Sequence, residues 1–244
     1  MKILAVGNSF SRNATTYLHQ TAAAQGISLT AVNLYIGGCS LETHRRHWFT
    51  GEAAYELDID GVNTGRMVSS RDIMSQGGWD VIVTQQASHD SGWIDTYEPF
   101  LTELTDAWRA AAPGARLMLQ ETWAYEKGSA HPAFPRYRCD QKEMYDRLKK
   151  CYGAMAEKHG MALIPCGDVI QRVRQLPPFR VEAGGRSLCS DGFHMSPGYG
   201  MYLLACVWLR ALCGADVRNN PFVPPCDGER DPELLRLIRE AVCL

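Results

Sequence analysis

Four short segments carry residues whose types suit acid–base or nucleophilic chemistry. The first is Gly7-Asn8-Ser9-Phe10-Ser11, directly behind a short apolar run. A serine in a tight strand-to-helix turn is exposed, and the helix start behind it favours a developing negative charge. Its own backbone N–H can donate to an oxyanion. A serine hydroxyl alone is a weak nucleophile that needs a base, and serine at such a turn is more often a helix cap. The second segment, Asp191-x-x-His194, supplies what Ser9 lacks. A carboxylate three positions before a histidine can hold the imidazole in one tautomer and stabilise the imidazolium. Alone, the pair also fits a surface loop or a metal-binding pair; with Ser9 it completes a nucleophile, a base and an orienter. The remaining two segments are Gly37-Gly38-Cys39-Ser40 and Gln85-Gln86-Ala87-Ser88-His89-Asp90.

Other residues invite weaker readings. His44 and His47 lie three apart behind Cys39, but no second ligand cluster accompanies them, so no metal is expected. His44 fits a substrate pocket better, six positions after Gly38. Trp123, Tyr125, His131, Phe134 and Tyr137 crowd one loop. Packing of that loop is the simpler account, and an aromatic wall for a sugar or acyl group is the alternative. Asn8, His44 and Trp123 are the substrate-contact candidates.

The elements that must position these groups follow from apolar patterning. Short apolar runs at 2–7, 28–36, 80–85, 115–120 and 161–165 read as strands. Residues 13–25, 41–48, 95–112, 140–159, 167–176, 197–213 and 231–243 read as helices, several with cap residues or a closing glycine. Residues 54–69, with alternation over Tyr55–Gly61 followed by the turn residues Asn63-Thr64-Gly65, read as a small excursion such as a hairpin. Strands alternate with helices, which predicts a parallel sheet covered on both faces. In such sheets ligands bind beyond the carboxyl ends of the strands, where three of the four segments follow strands and the fourth precedes a helix.

Bulk properties bound the function. The chain of 244 residues suits one α/β domain spanning 1–244, with no repeat or linker. A net charge of −2 argues against nucleic acid or an anionic membrane surface as partner. The oligomeric state is left open. Nine scattered cysteines without a C-x-x-C pair point to free thiols in a reducing compartment. The apolar start is too short for a signal peptide, so a cytoplasmic protein is expected. Cys39, beside Gly38, is the thiol to test for reactivity.

Gly7-Asn8-Ser9-Phe10-Ser11 resembles the first conserved block of the SGNH/GDSL hydrolases, with Asn8 where many members have aspartate. Asp191-x-x-His194 is similar to their last block. The G-N-S-F-S start, the G-G-C-S-L segment and W-D-V-I-V-x-Q together look most like the subgroup catalogued as domain of unknown function 4886. The resemblance implies a flavodoxin-like three-layer α/β/α sandwich with a five-stranded parallel sheet. It implies a serine esterase that needs no cofactor, acting on a small-molecule or carbohydrate ester through Ser9, His194 and Asp191, with Gly38 in the oxyanion hole. The family's third block is G-x-N-D. This chain has Ala87-Ser88-His89-Asp90 there, so the asparagine donor is missing. His89 stands in its place, and Gln85 or Gln86 at the strand end is the other source. That departure keeps two further readings open: an SGNH-fold binding module without catalysis, and a phosphate-ester hydrolase using the Gly7 turn as an anion cradle.

Overall fold

The computed structural model describes residues 1–225 and 231–244. Among them, seven strands form one sheet: β1 (Lys2–Gly7), β2 (Thr30–Tyr35), β3 (Tyr55–Ile59), β4 (Val62–Val68), β5 (Val81–Thr84), β6 (Arg116–Gln120) and β7 (Ala162–Ile164). Their order across the sheet is β4-β3-β2-β1-β5-β6-β7. All five strands expected from the sequence are present and run parallel to one another. The sheet is nevertheless mixed and seven-stranded, not parallel and five-stranded, because β3 and β4 add an antiparallel extension at the β2 edge. The expected hairpin at 54–69 is this extension. Its patterning hid its membership of the sheet, since β4 is exposed along six of its seven residues.

The central strands read as apolar runs because both faces are covered. Ile3, Leu4, Ala5 and Val6 of β1 are all fully buried. The connecting helices are α1 (Ser9–Thr15), α2 (Leu18–Ala23), α3 (Leu41–Thr50), α4 (Ser70–Met74), α5 (Phe100–Ala111), α6 (Gln141–His159), α7 (Cys166–Arg174), α8 (Tyr199–Cys213) and α9 (Pro232–Cys243). The apolar helix α8 packs on α1, α2, α7 and α9, while α3 packs on α4 and α5. No helix of the described residues is long and apolar enough to cross a membrane.

Two boundaries differ from expectation in ways that matter. The first helix begins at Ser9 rather than at residue 13, because Asn8 caps it: Asn8 Oδ1 accepts from the Phe10 N–H at 3.1 Å. The fifth helix starts at Phe100 rather than at 95, with a 3₁₀ turn at Ile94–Thr96 before it.

The hairpin is tied to α1, the helix that Ser9 starts. Asn33, fully buried in β2, accepts from Ser11 Oγ at 2.7 Å and donates to Asp58 Oδ2 at 2.9 Å. Arg12 donates to Asp58 from Nε at 2.9 Å and to Glu56 from Nη2 at 2.8 Å. The network fixes α1 against β2 and β3 through groups that satisfy one another. At the tip, Asp60 (φ 51°) and Gly61 (φ 82°) form a two-residue turn with both residues in the left-handed region. A Cβ on Gly61 would lie 2.1 Å from the Thr16 carbonyl oxygen. Gly61→Ala therefore combines backbone strain with a clash against main chain, and is expected to cost about 2 kcal/mol or more. Urea unfolding measures this; a midpoint equal to wild type would refute the contact.

Candidate active site

Because β1, β2, β5 and β6 are parallel, the segments that follow them gather at one edge of the sheet. Ser9 is half-buried between the buried Asn8 and Phe10. Its hydroxyl lies 2.8 Å from His194 Nε2, and His194 Nδ1 lies 2.7 Å from Asp191 Oδ2. The three residues predicted from sequence are thus brought into one hydrogen-bonded line. Asp191 Oδ1 also accepts from the backbone N–H groups of Phe193 (3.1 Å) and His194 (2.7 Å), which shapes the loop. Partial burial pushes the Asp191 carboxyl up, but the His194 N–H, the His194 ring and the Phe193 N–H outweigh it and hold it below its ordinary value. The carboxylate is therefore ionised at neutral pH.

Two contacts hold the His194 loop to α1. Asn13 Oδ1 of α1 accepts from the Met195 N–H at 2.9 Å. Trp123 stacks on Phe10 with ring centroids 3.8 Å apart and donates from Nε1 to the Phe193 carbonyl at 2.7 Å. Trp123 is fully buried, which corrects its expected place on a substrate wall. It joins the residue after Ser9 to the residue before His194.

The turn around Ser9 leaves one donor uncommitted. Asn8 Oδ1 takes the Phe10 N–H, and Asn8 O takes the Arg12 N–H at 3.1 Å. Gln85 packs its carboxamide against the turn, 3.2 Å from Asn8 Oδ1, and with the amide rotated so that its oxygen faces the turn it can accept from the N–H groups of Asn8 (3.3 Å) and Ser11 (3.1 Å). Among the described residues, the Ser9 N–H has no such partner. Gln85 is fully buried beneath Gly7, where a Cβ would meet its amide at 2.5 Å. It supports the turn and is not free to reach an oxyanion, contrary to expectation. Gln86 is committed as well: its Oε1 accepts from Leu41 N–H (2.9 Å) and Ala87 N–H (2.8 Å), and its Nε2 donates to the Thr96 carbonyl (2.8 Å).

Gly38 is exposed at the third position of a turn closed by the Cys39 N–H on the Ile36 carbonyl at 3.3 Å. Its φ of 61° suits glycine. Asn8 Nδ2 donates to the Cys39 carbonyl at 3.0 Å, so this turn is pinned to the turn at Ser9. Asn8 is only 2% exposed, and both ends of its carboxamide are engaged. It is a bracket between two turns and not a substrate contact. His89 is half-exposed, with Nε2 3.4 Å from Asp90 Oδ2 and its ring 6.4 Å from that of His131.

His44 does not line a pocket either. It is fully buried, its Nδ1 2.9 Å from Tyr55 Oη and 3.4 Å from Cys39 Sγ. His47 turns elsewhere, to Glu52 at 2.9 Å. Among the described residues no group of three or more His, Cys, Asp or Glu is placed to hold a metal. Burial pushes the Cys39 thiol up to about 12, so it is not a reactive thiolate. The eight described cysteines are free thiols; Cys226 lies outside the described residues. In the aromatic loop Trp123, Tyr125, Phe134 and Tyr137 are buried, and only His131 is half-exposed. A cavity of about 750 Å³ between α6 and α7 is remote from this line of residues, and its Lys149 and Asp168 already pair at 2.8 Å. Asn13 carried no signal in the sequence, because its partner Met195 is distant in the chain.

A family model described as "Domain of unknown function (DUF4886)" matches residues 2–239. A crystal structure of a DUF4886 family protein from Bacteroides uniformis is similar at 34% identity and a TM-score of 0.90, covering 99% of this chain and 93% of that one. A protein from Slackia heliotrinireducens, classed provisionally as an SGNH hydrolase, shares 23% identity at a TM-score of 0.58, over 87% of this chain and 98% of that one. An acetylxylan esterase from Geobacillus stearothermophilus shares 15% identity at a TM-score of 0.56, over 87% and 94%. The last two likenesses show a shared fold. No curated protein matches the sequence.

Burial, aided by the nearby His47, pushes the His44 imidazole from 6.5 down to about 3. Between these values the unfolded chain binds a proton that the folded chain excludes. His44 therefore makes stability rise with pH from about 3 to 6.5, with no contribution above that window. His44→Gln is expected to flatten the stability–pH curve there by up to about 1.4 kcal/mol per pH unit. Equal slopes in denaturant titrations of the two proteins would refute it.

Proposed function

We propose that this chain, which belongs to the family described as Domain of unknown function (DUF4886), is a serine hydrolase acting on a carboxylic ester. The observation that carries the reading is the line from Ser9 Oγ through His194 to Asp191, at 2.8 and 2.7 Å. Likeness of fold to SGNH hydrolases supports it. In the same reading the chain is one flavodoxin-like three-layer domain. The strand order of its five parallel members, 2-1-3-4-5 when counted among themselves, supports that arrangement.

Ser9 Oγ attacks the ester carbonyl as His194 Nε2 takes its proton. Asp191, ionised and fixed by two backbone N–H groups, holds Nδ1–H and stabilises the imidazolium. The carbonyl oxygen becomes an oxyanion, held by the Ser9 N–H, the Gly38 N–H and a side chain from the segment after β5. His194 then returns the proton to the leaving alcohol, and an acyl-Ser9 ester remains. Water attacks that ester while His194 acts as base again, releasing the acid and restoring Ser9. A small acyl group on a carbohydrate is the preferred substrate class. The polar, half-exposed rim of His89 and His131 beside Phe193 supports a polar alcohol portion.

A fluorophosphonate probe and p-nitrophenyl acetate test the reading. Wild type is expected to be labelled and to turn over the ester. Ser9→Ala and His194→Ala should each lower kcat by about four to six orders of magnitude, with melting temperature nearly unchanged. Equal labelling of Ser9→Ala and wild type would refute Ser9 as nucleophile.

A further inference from the structure

The missing third oxyanion donor can be located by following hydrogen atoms through the cluster beside Phe193. His131 Nδ1 accepts from the backbone N–H of Ala133 at 3.1 Å. A backbone N–H is an obligate donor, so Nδ1 carries no proton and the neutral ring carries its hydrogen on Nε2. His131 Nε2 lies 3.3 Å from Tyr125 Oη, so it donates to that oxygen. Burial, with His89 and His194 nearby, lowers the His131 pKa, in keeping with a neutral ring. Tyr125 Oη has one other partner within reach, Ser88 Oγ at 2.9 Å, and its own hydrogen must go there. Ser88 Oγ is then an acceptor from Tyr125, and its hydrogen is directed away from the cluster. Among the described residues that hydrogen meets no acceptor.

Ser88 stands between the two halves of the site. It leaves β5, whose Thr84 pairs in register with Val6 of β1, three residues before Ser9. On one side, Gln86 Oε1 binds Ala87 N–H and Leu41 N–H together, holding this segment to the start of α3, just behind Gly38. On the other side, the Tyr125 and His131 rings lie 5.7 and 4.7 Å from the Phe193 ring, which is 4.2 Å from His194. Ser88 is half-buried, while Gln85, Gln86 and Ala87 before it are buried. His89, the alternative, has its Nε2 near the Asp90 carboxylate and its carbonyl held by Tyr137 Oη (3.0 Å) and Arg136 (3.0 Å).

We propose that the Ser88 hydroxyl is the third oxyanion donor, and that Tyr125 and His131 are positioning residues that aim its hydrogen at the substrate. The proposal rests on the serine-hydrolase reading above. The chain of polarised hydroxyls replaces the single asparagine amide that the third block of the resembled family places there.

The test is steady-state turnover of p-nitrophenyl acetate, with melting temperature as a folding control. Ser88→Ala is expected to lower kcat about 100-fold with KM within about twofold of wild type. Ser88→Thr, which keeps the hydroxyl, should recover most of the loss. Tyr125→Phe keeps the ring and removes the hydrogen given to Ser88, so it should lower kcat about fivefold. In a Ser88→Ala background the same Tyr125→Phe change should add nothing, whereas a merely structural tyrosine would add its full effect. Wild-type kcat in Ser88→Ala, or additive losses in the double variant, would overturn the proposal. So would His89→Ala reproducing the 100-fold loss in place of Ser88→Ala. Wild type that is neither labelled by the fluorophosphonate probe nor active would overturn the hydrolase reading itself. Labelled, active wild type with an indifferent Ser88→Ala overturns only the donor assignment.

Discussion

One carboxamide holds the site in register. Asn8 accepts the Phe10 N–H at one end and donates to the Cys39 carbonyl at the other, 3.1 and 3.0 Å away. The first bond starts α1 at Ser9 and lifts the hydroxyl out of the sheet edge. The second ties the turn after β1 to the turn after β2, so that the Ser9 and Gly38 N–H groups belong to one rigid piece. A carboxylate at this position could make the first bond but not the second, because it has no hydrogen to give. Asparagine in place of the aspartate common in the resembled block is therefore matched by a local need for a donor. The Gln85 carboxamide packs beneath the same turn, where with its oxygen facing inward it can take the Asn8 and Ser11 N–H groups.

Everything that holds α1 also holds Ser9. The hairpin β3–β4 adds nothing to the parallel sheet's ligand edge, yet Asp58 and Glu56 on β3 clamp Arg12, and Asn33 clamps Ser11. These charges are partly buried, and each is paired and hydrogen-bonded, which is the condition under which burying them is tolerable. Trp123 and Asn13 perform the corresponding task for His194. His194 is thus carried by a loop, but one whose backbone is fastened on both sides of the histidine, at Phe193 and Met195.

Much of this was legible in the sequence, for identifiable reasons. The five parallel strands were visible because strands buried on both faces must be continuous apolar runs, as in 3–6 and 81–83. Ser9, Asp191 and His194 were visible because chemistry constrains their types and their local spacing. Side-chain direction was not visible. Asn8, His44, Gln85 and Trp123 are polar or amphipathic residues near the site, and each is turned inward by a partner that the sequence places far away. Edge strand β4 was read as an excursion because its exposed residues carry no buried alternation. The roles of Ser88, Tyr125 and His131 depend on which nitrogen of one ring faces a backbone N–H, and no pattern in the chain records that.

Ser9 and His194 are 185 positions apart, and Asn13 and Met195 are 182 apart. Contacts of such long sequence separation close large loops, and the entropy of closing them must be offset by the packing around them. Ser9 meets His194 only where α8 is docked beside α1 and the loop before α8 is drawn in with it. The Ser9–His194 contact is accordingly a reporter of topological completion: a chain that has collapsed but not joined its two ends carries all three side chains and none of their geometry.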